Sequence, residues 1–257
     1  MEVFKFIKNI YSGEKVLEKH ITLFSLTGIM VLLFCCYGAS VGNVLFPNIF
    51  IAPPESPLVS TVELFTGLLI FIYLTGYSFD FSNSKFAHIE LGIPEFGYLK
   101  PFTAFIKILP VFLVWLLYYT AFVAIGIIAF LNIDQVGLVY IFGAVMICVI
   151  PFILLMFVDY SKNFHFRRKF FNPFSVLKYI DKALGDIIYL SVEVFILFSI
   201  VTAGIFYITT FKISSDSVRL AVWLMSACIW VYFVLIFKYT YYTGLVKIVN
   251  KYPELNS

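Results

Sequence analysis

The chain has 257 residues, of which 61% are hydrophobic, 20% aromatic and 13% charged, with a net charge of +3. Soluble domains are about 45–50% apolar and about 25% charged, so this composition excludes a cytosolic enzyme, a disordered chain and a secreted disulfide scaffold. The basic residues form no face interleaved with base-stacking aromatics, so nucleic acid is not an expected partner. We therefore expect residues 1–257 to form a single integral membrane domain.

Runs of about 20 apolar residues are typical of transmembrane helices. Six such runs follow one another, at residues 21–46, 59–79, 109–131, 137–158, 187–211 and 218–237. The predicted fold class is all-α: a polytopic membrane helix bundle with six transmembrane helices.

Between these spans, the basic segments also carry regularly spaced apolar residues. Residues 1–19, 102–108 and 174–184 are each predicted to form an amphipathic helix in the headgroup layer. Each such segment precedes two spans, which would divide the chain into three parallel units, 1–79, 80–158 and 159–257. The pairs Tyr11-Ser12, Tyr77-Ser78 and Tyr160-Ser161 occur once in each unit and favour this repeat.

The lysines and arginines predict the orientation. Sixteen of the 18 fall in the two terminal segments and in the second and fourth connections, which all face one side of a six-span bundle. Only Lys212 and Arg219 fall on the other side. By the positive-inside rule, we expect a multi-pass cell-membrane protein with both termini in the cytoplasm.

The second connection carries two short motifs. They are Gly76-Tyr77 at the end of the second span and Ile93-Pro94-Glu95-Phe96 before the third, with Asn83 between them and Phe102 and Lys107 after them. This pattern resembles a family of six-span bacterial and archaeal membrane proteins catalogued as a domain of unknown function. The family pattern is Gly-Tyr, then Leu-Pro-Glu-Trp, then an amphipathic helix; Ile93 and Phe96 replace its leucine and tryptophan. The resemblance implies the six-span fold and a membrane location, and no activity.

In physical terms, the second motif predicts a turn. Pro94 stops a preceding helix, and Glu95 can cap the first turn of a new one. The turn either sets the angle of the third span or forms a docking surface for a cytoplasmic partner.

Two acidic residues, Glu63 and Glu193, lie inside predicted spans away from an obvious water-facing end. A charged side chain near the bilayer centre costs about 2.5–3.5 kcal/mol on insertion scales, so such residues are candidates for function. They form a candidate intramembrane polar site for a proton or cation. The alternative is that each carboxylate reaches water or bonds a neighbouring helix.

Two further sets of residues are predicted to make contacts. Gly38 and Gly42 form a Gly-x-x-x-Gly pair that favours helix packing, within the bundle or between two copies in a homo-oligomer. Arg167, Arg168 and Lys169 stand among phenylalanines and are predicted to contact anionic lipid headgroups, with a regulatory lipid or protein site as the alternative.

Motifs that carry chemistry are missing from the sequence: no metal-ligand spacing of histidine or cysteine, no glycine-rich phosphate loop and no G-x-S-x-G elbow occurs. We therefore expect no enzyme, no metal and no cofactor. The predicted function is a non-enzymatic scaffold or partner subunit that contacts membrane lipids and a cytoplasmic or membrane protein.

Two transport functions are alternatives. One is a permease subunit, similar to the six-span half of ATP-binding-cassette exporters, in which residues 93–108 would meet an ATPase. The other is a proton-coupled carrier that uses Glu63 or Glu193.

Overall fold

The computed structural model describes residues 2–45, 57–87, 92–93, 96–97, 99–131, 136–211 and 216–253. For residues 32–45, 57–64, 127, 129–131, 136–141 and 216, only the backbone is described. This part of the chain is all-helical, with seven α-helices and no strand. The helices are α1 (Glu2–Ile10), α2 (Val16–Leu45), α3 (Pro57–Ala87), α4 (Lys100–Leu131), α5 (Val136–Ser161), α6 (Ser175–Thr209) and α7 (Asp216–Lys251), with a short 3₁₀ turn at Arg168–Phe171.

Five of the described helices, α3 to α7, contain segments long and apolar enough to cross a membrane. This supports the predicted membrane location and the multi-pass architecture. Helix α2 covers most of the predicted first span, but its side chains beyond Val31 lie outside the described residues. The number of six spans therefore stays a prediction.

Four helices are much longer than the predicted spans. Helices α3, α4, α6 and α7 have 31, 32, 35 and 36 residues. At 1.5 Å per residue they are roughly 50 Å long, whereas the hydrocarbon layer is about 30 Å thick. The additional turns lie at the lysine-bearing ends, such as residues 80–87 of α3 and 238–251 of α7, where polar groups can pack outside the hydrocarbon.

Two of the predicted interfacial helices are not separate elements. Residues 102–108 form early turns of α4, and residues 175–184 form the start of α6. Pro101 lies in the first turn of α4, where backbone N–H groups have no acceptor within the helix, so its missing N–H costs no hydrogen bond. In α6, Gly185 lowers helix stability by only about 1 kcal/mol. Helix α4 also continues through Pro110, at the junction of residues 102–108 with the predicted span. Each segment is therefore continuous with its span, so residues 102–108 are not an independent coupling helix.

Helix α1 is a separate short helix with two unlike faces. Val3, Phe6 and Ile10 are buried, whereas Lys5 and Lys8 are exposed. The sequence predicts an apolar face of Val3, Ile7, Ile10 and Tyr11. In the structure, Phe6 is buried, Ile7 is half-buried and Tyr11 is exposed.

The three tyrosine-serine pairs occupy unlike positions. Tyr11 follows α1, Tyr77 lies about two thirds of the way along α3, and Tyr160 belongs to the last turn of α5. The threefold repeat receives no support from this placement and stays a prediction.

The chain divides into two compact units. Unit 1 comprises Met1–Thr75, Leu91–Tyr98 and Val192–Thr240, and unit 2 comprises Gly76–Glu90, Leu99–Ser191 and Tyr241–Ser257. Each has its own aromatic packing. In unit 1, the ring of Phe198 contacts that of Phe237 edge to face at 5.7 Å. In unit 2, the ring of Phe79 contacts that of Tyr242 at 5.8 Å.

Candidate functional site

Glu193, in the part of α6 that belongs to unit 1, is buried. It lies near the middle of α6, and 7% of its surface is exposed. Neither carboxylate oxygen has a hydrogen-bond partner among the described residues. The other predicted acid, Glu63, belongs to α3, but its side chain lies outside the described residues. The structure thus makes Glu193 a buried acid whose desolvation is not offset by a described hydrogen bond.

Replacing Glu193 by leucine is expected to stabilise the protein. A buried polar group without a hydrogen bond costs about 1–3 kcal/mol in proteins, and leucine removes that cost. We expect the free energy of unfolding in detergent micelles to rise by about this amount. Asp181→Leu, at an exposed position on the same helix, is the control and should bring no comparable gain. A loss of stability in Glu193→Leu would contradict the unsatisfied state of the carboxylate.

The three basic residues predicted to contact lipid headgroups differ in their exposure. Arg167 and Arg168 are exposed, whereas Lys169 lies partly buried against α5. Its ammonium forms an ion pair with Asp159 at 3.0 Å, and the side-chain exposures are 16% for Lys169 and 2% for Asp159. Lys169 is therefore engaged inside the protein, and the two arginines remain at the surface.

The partner of Lys169 belongs to a small polar cluster that sequence patterns did not indicate. Asp159 accepts a second hydrogen bond, from the hydroxyl of buried Tyr179 on α6, at 2.7 Å. These three residues form the Asp159 cluster. Burial lowers the pKa of Lys169, and the neighbouring carboxylate of Asp159 acts in the opposite direction. Asp159 comes directly after an apolar run, so its burial had no local signal.

Further hydrogen bonds fasten the basic connection, residues 162–174, to the helix ends. The Asn83 side-chain amide donates to the carbonyls of Ser161 and Lys162, at 2.8 and 3.0 Å. The indole N–H of Trp115 donates to the carbonyl of Phe170 at 2.7 Å. Together with the Asp159 cluster, these bonds hold the connection at its beginning and along the 3₁₀ turn.

The first motif of the family resemblance is a site of close packing. A Cβ atom at Gly76 would overlap the carbonyl oxygen of Pro101 at the start of α4, and Tyr77 is completely buried. Only glycine permits this approach of α3 to α4.

The chain just before the second motif also packs closely, in unit 1. A Cβ atom at Gly92 would overlap the carbonyl oxygen of Ser12, and Ile93 is buried. Pro94 and Glu95 lie outside the described residues, as do the surroundings of Gly38 and Gly42, whose backbone belongs to α2. The packing role predicted for this last pair stays a prediction.

A second polar cluster surrounds His20 in unit 1. Its Nε2 atom lies 3.3 Å from the carbonyl oxygen of Ile10, which can only accept, so Nε2 donates the hydrogen. In the neutral ring Nδ1 then accepts from the hydroxyl of Tyr232 at 2.7 Å. The ring of Tyr11 stacks on the imidazole at 4.5 Å. Burial lowers the pKa of His20, although the hydrogen bond to Ile10 acts in the opposite direction.

This lowered pKa predicts a loss of stability in mild acid. The unfolded chain takes up the proton near the ordinary pKa of about 6.5, whereas the folded chain does so only at lower pH. We expect the unfolding temperature to fall as the pH drops through about 6.5. The variant His20→Gln should lose the part of this fall that comes from protonation of His20. Exposed His165 provides the control, because His165→Gln should retain the fall. If the unfolding temperature of His20→Gln depends on pH as that of the unmodified protein does, His20 is not the group responsible.

No group of three or more histidine, cysteine, aspartate or glutamate residues within the described ranges could hold a metal ion. No protein-family model, curated protein sequence or solved structure matches the chain.

Proposed function

We propose that this chain is a non-enzymatic scaffold or partner subunit of the cell membrane, with both termini in the cytoplasm. This proposal is supported by the attachment of the basic connection, residues 162–174, to the neighbouring helices. Asn83, Trp115 and the Asp159 cluster attach this connection through hydrogen bonds and an ion pair. A surface attached in this way keeps its shape, which lowers the conformational entropy lost when a partner binds.

Photocrosslinking in cells tests this proposal. Phe166 lies in the basic connection and is 62% exposed, so a photoreactive phenylalanine derivative at this position preserves its shape. We expect a discrete adduct with one protein, at a reproducible mass. The same derivative at Phe195, an exposed position on α6, should give no such adduct. Lipid adducts alone at residue 166 would contradict the proposal.

A proton-coupled carrier is a second candidate, favoured by the buried carboxyl group of Glu193. Such a carboxyl group inside a membrane helix is typical of proton relays. Proteoliposomes that contain the protein and a trapped pH-sensitive dye report proton flux as a change in internal pH. A carrier should show such a flux, and Glu193→Gln should abolish it. Asp181→Asn is the control for removing one acid from the same helix. If Glu193→Gln and Glu63→Gln both leave proton movement unchanged, the carrier is excluded and the scaffold stands.

A further inference from the structure

An apolar cavity of about 280 Å³ lies within unit 2, between α4, α5 and the start of α6. Nearly all of its lining surface is apolar. Trp115 on α4, Val149 and Ile153 on α5, and Leu177 on α6 form parts of its wall. Drug-sized ligands occupy pockets of about 300–1,000 Å³, so this cavity has room for one slender apolar group and not for a bulky polar one.

Positive charge is concentrated beside this cavity. Residues 162–182 hold six basic residues and one acidic residue. Burial lowers the pKa of Lys169, and the charges of Arg167 and Lys178 act in the same direction. Arg167, Arg168 and Lys178 are exposed, whereas Lys169 is paired with Asp159.

The cavity wall and the charged segment are joined by direct bonds. Trp115, which lines the cavity, donates its indole hydrogen to the carbonyl of Phe170, in the same 3₁₀ turn as Arg168. Pro173, three residues after Phe170, is itself part of the cavity lining. These contacts fix the position of the basic segment relative to the cavity.

We propose that this part of unit 2 is a binding site for an anionic phospholipid. One acyl chain occupies the cavity, and the headgroup phosphate lies against Arg167 and Arg168. A lipid satisfies both features at once: its chain needs apolar walls without hydrogen-bonding groups, and its phosphate is favoured by guanidinium groups. The site requires no protein partner, so failure of the crosslinking test above would leave it standing.

Quenching of Trp115 fluorescence by bromine-labelled lipid tests the proposal. The chain has three tryptophans, and replacing Trp223 and Trp230 by phenylalanine leaves Trp115 as the single reporter inside the cavity wall. The full chain is placed in phosphatidylcholine bilayers that contain phosphatidylglycerol brominated on its acyl chains, or brominated phosphatidylcholine at the same fraction. We expect the brominated phosphatidylglycerol to quench more strongly, with a relative affinity about fivefold higher for each arginine engaged.

Variants separate the two parts of the site. Arg167→Gln with Arg168→Gln should abolish the preference for phosphatidylglycerol, whereas the matched pair Lys5→Gln with Lys8→Gln on α1 should retain it. Val149→Phe narrows the cavity and should weaken quenching by both lipids. Unfolding temperatures of the variants check that each is folded.

Three outcomes would overturn the inference. Equal quenching of Trp115 by both brominated lipids would exclude anionic selectivity. A preference that survives loss of both arginines would exclude them as the headgroup contact. Quenching unchanged by Val149→Phe would show that the acyl chain does not enter the cavity.

Discussion

Asp159→Ala is expected to destabilise the protein by about 3 kcal/mol, at the low end of the range for a broken buried ion pair. The alanine would leave the ammonium of Lys169 and the hydroxyl of Tyr179 without their shared acceptor. Since Lys169 keeps part of its surface in solvent, water can compensate for some of the loss. Unfolding in detergent micelles, followed by circular dichroism, measures the effect.

A second ion pair in unit 2 provides the control. Lys251 and Asp186 are 2.6 Å apart, but their side chains are 57% and 32% exposed. Exposed pairs are screened by water and salt, so Asp186→Ala should cost much less than Asp159→Ala.

A double variant tests the cause of the loss. Adding Lys169→Met to Asp159→Ala should recover part of the stability, because it removes the stranded charge. Equal losses in Asp159→Ala and Asp186→Ala, or no recovery in the double variant, would contradict the stabilising role of the buried Asp159–Lys169 ion pair.

Gly76→Ala is expected to have a comparable effect, a loss of about 3 kcal/mol or failure to fold, at the upper end of the cost of overpacking. The added methyl group would meet the backbone carbonyl of Pro101, and a backbone cannot rotate away as a side chain can. Helices α3 and α4 would have to separate at this point. The yield of folded protein in detergent and its unfolding temperature report the result.

Two other glycines make matched controls for this substitution. Gly67 lies on the same helix with nothing near its missing Cβ, so Gly67→Ala should stabilise the protein by about 0.5–1 kcal/mol through helix propensity. At Gly244 the obstacle is the flexible side chain of Leu190, which can move, so Gly244→Ala should cost less than Gly76→Ala. A neutral Gly76→Ala would show that the two helices do not need this close approach.

The membrane-crossing segments could be predicted because hydropathy sums over neighbouring residues. An apolar run such as 109–131 is visible without any knowledge of packing, and α4 contains it entirely. Helix ends could not be predicted in the same way. The helix predicted over residues 102–108 is not separate from the span at 109–131, because α4 runs through Pro110, although proline usually breaks or kinks a helix at such a position.

The Asp159 cluster shows why the polar contacts could not be predicted. Its members are 10 and 20 residues from Asp159, on a 3₁₀ turn and on α6, and no local spacing brings them together. The charge triplet at residues 167–169 was visible, but nothing in its sequence distinguishes the inward lysine from the two outward arginines. That division depends on where the buried carboxylate lies.

The sequence by itself determined that this chain belongs in lipid, because 61% apolar residues in long runs leave no other solvent for its helices. It also determined that Glu193 lies in an apolar segment, since the apolar residues of that segment precede and follow it directly in the chain. Only the tertiary structure decided that this carboxylate is buried without a described hydrogen bond, that Gly76 admits a backbone carbonyl, and that Trp115 joins an apolar cavity to a basic turn. Burial and satisfaction of polar groups depend on atoms distant in sequence, and packing alone brings those atoms together.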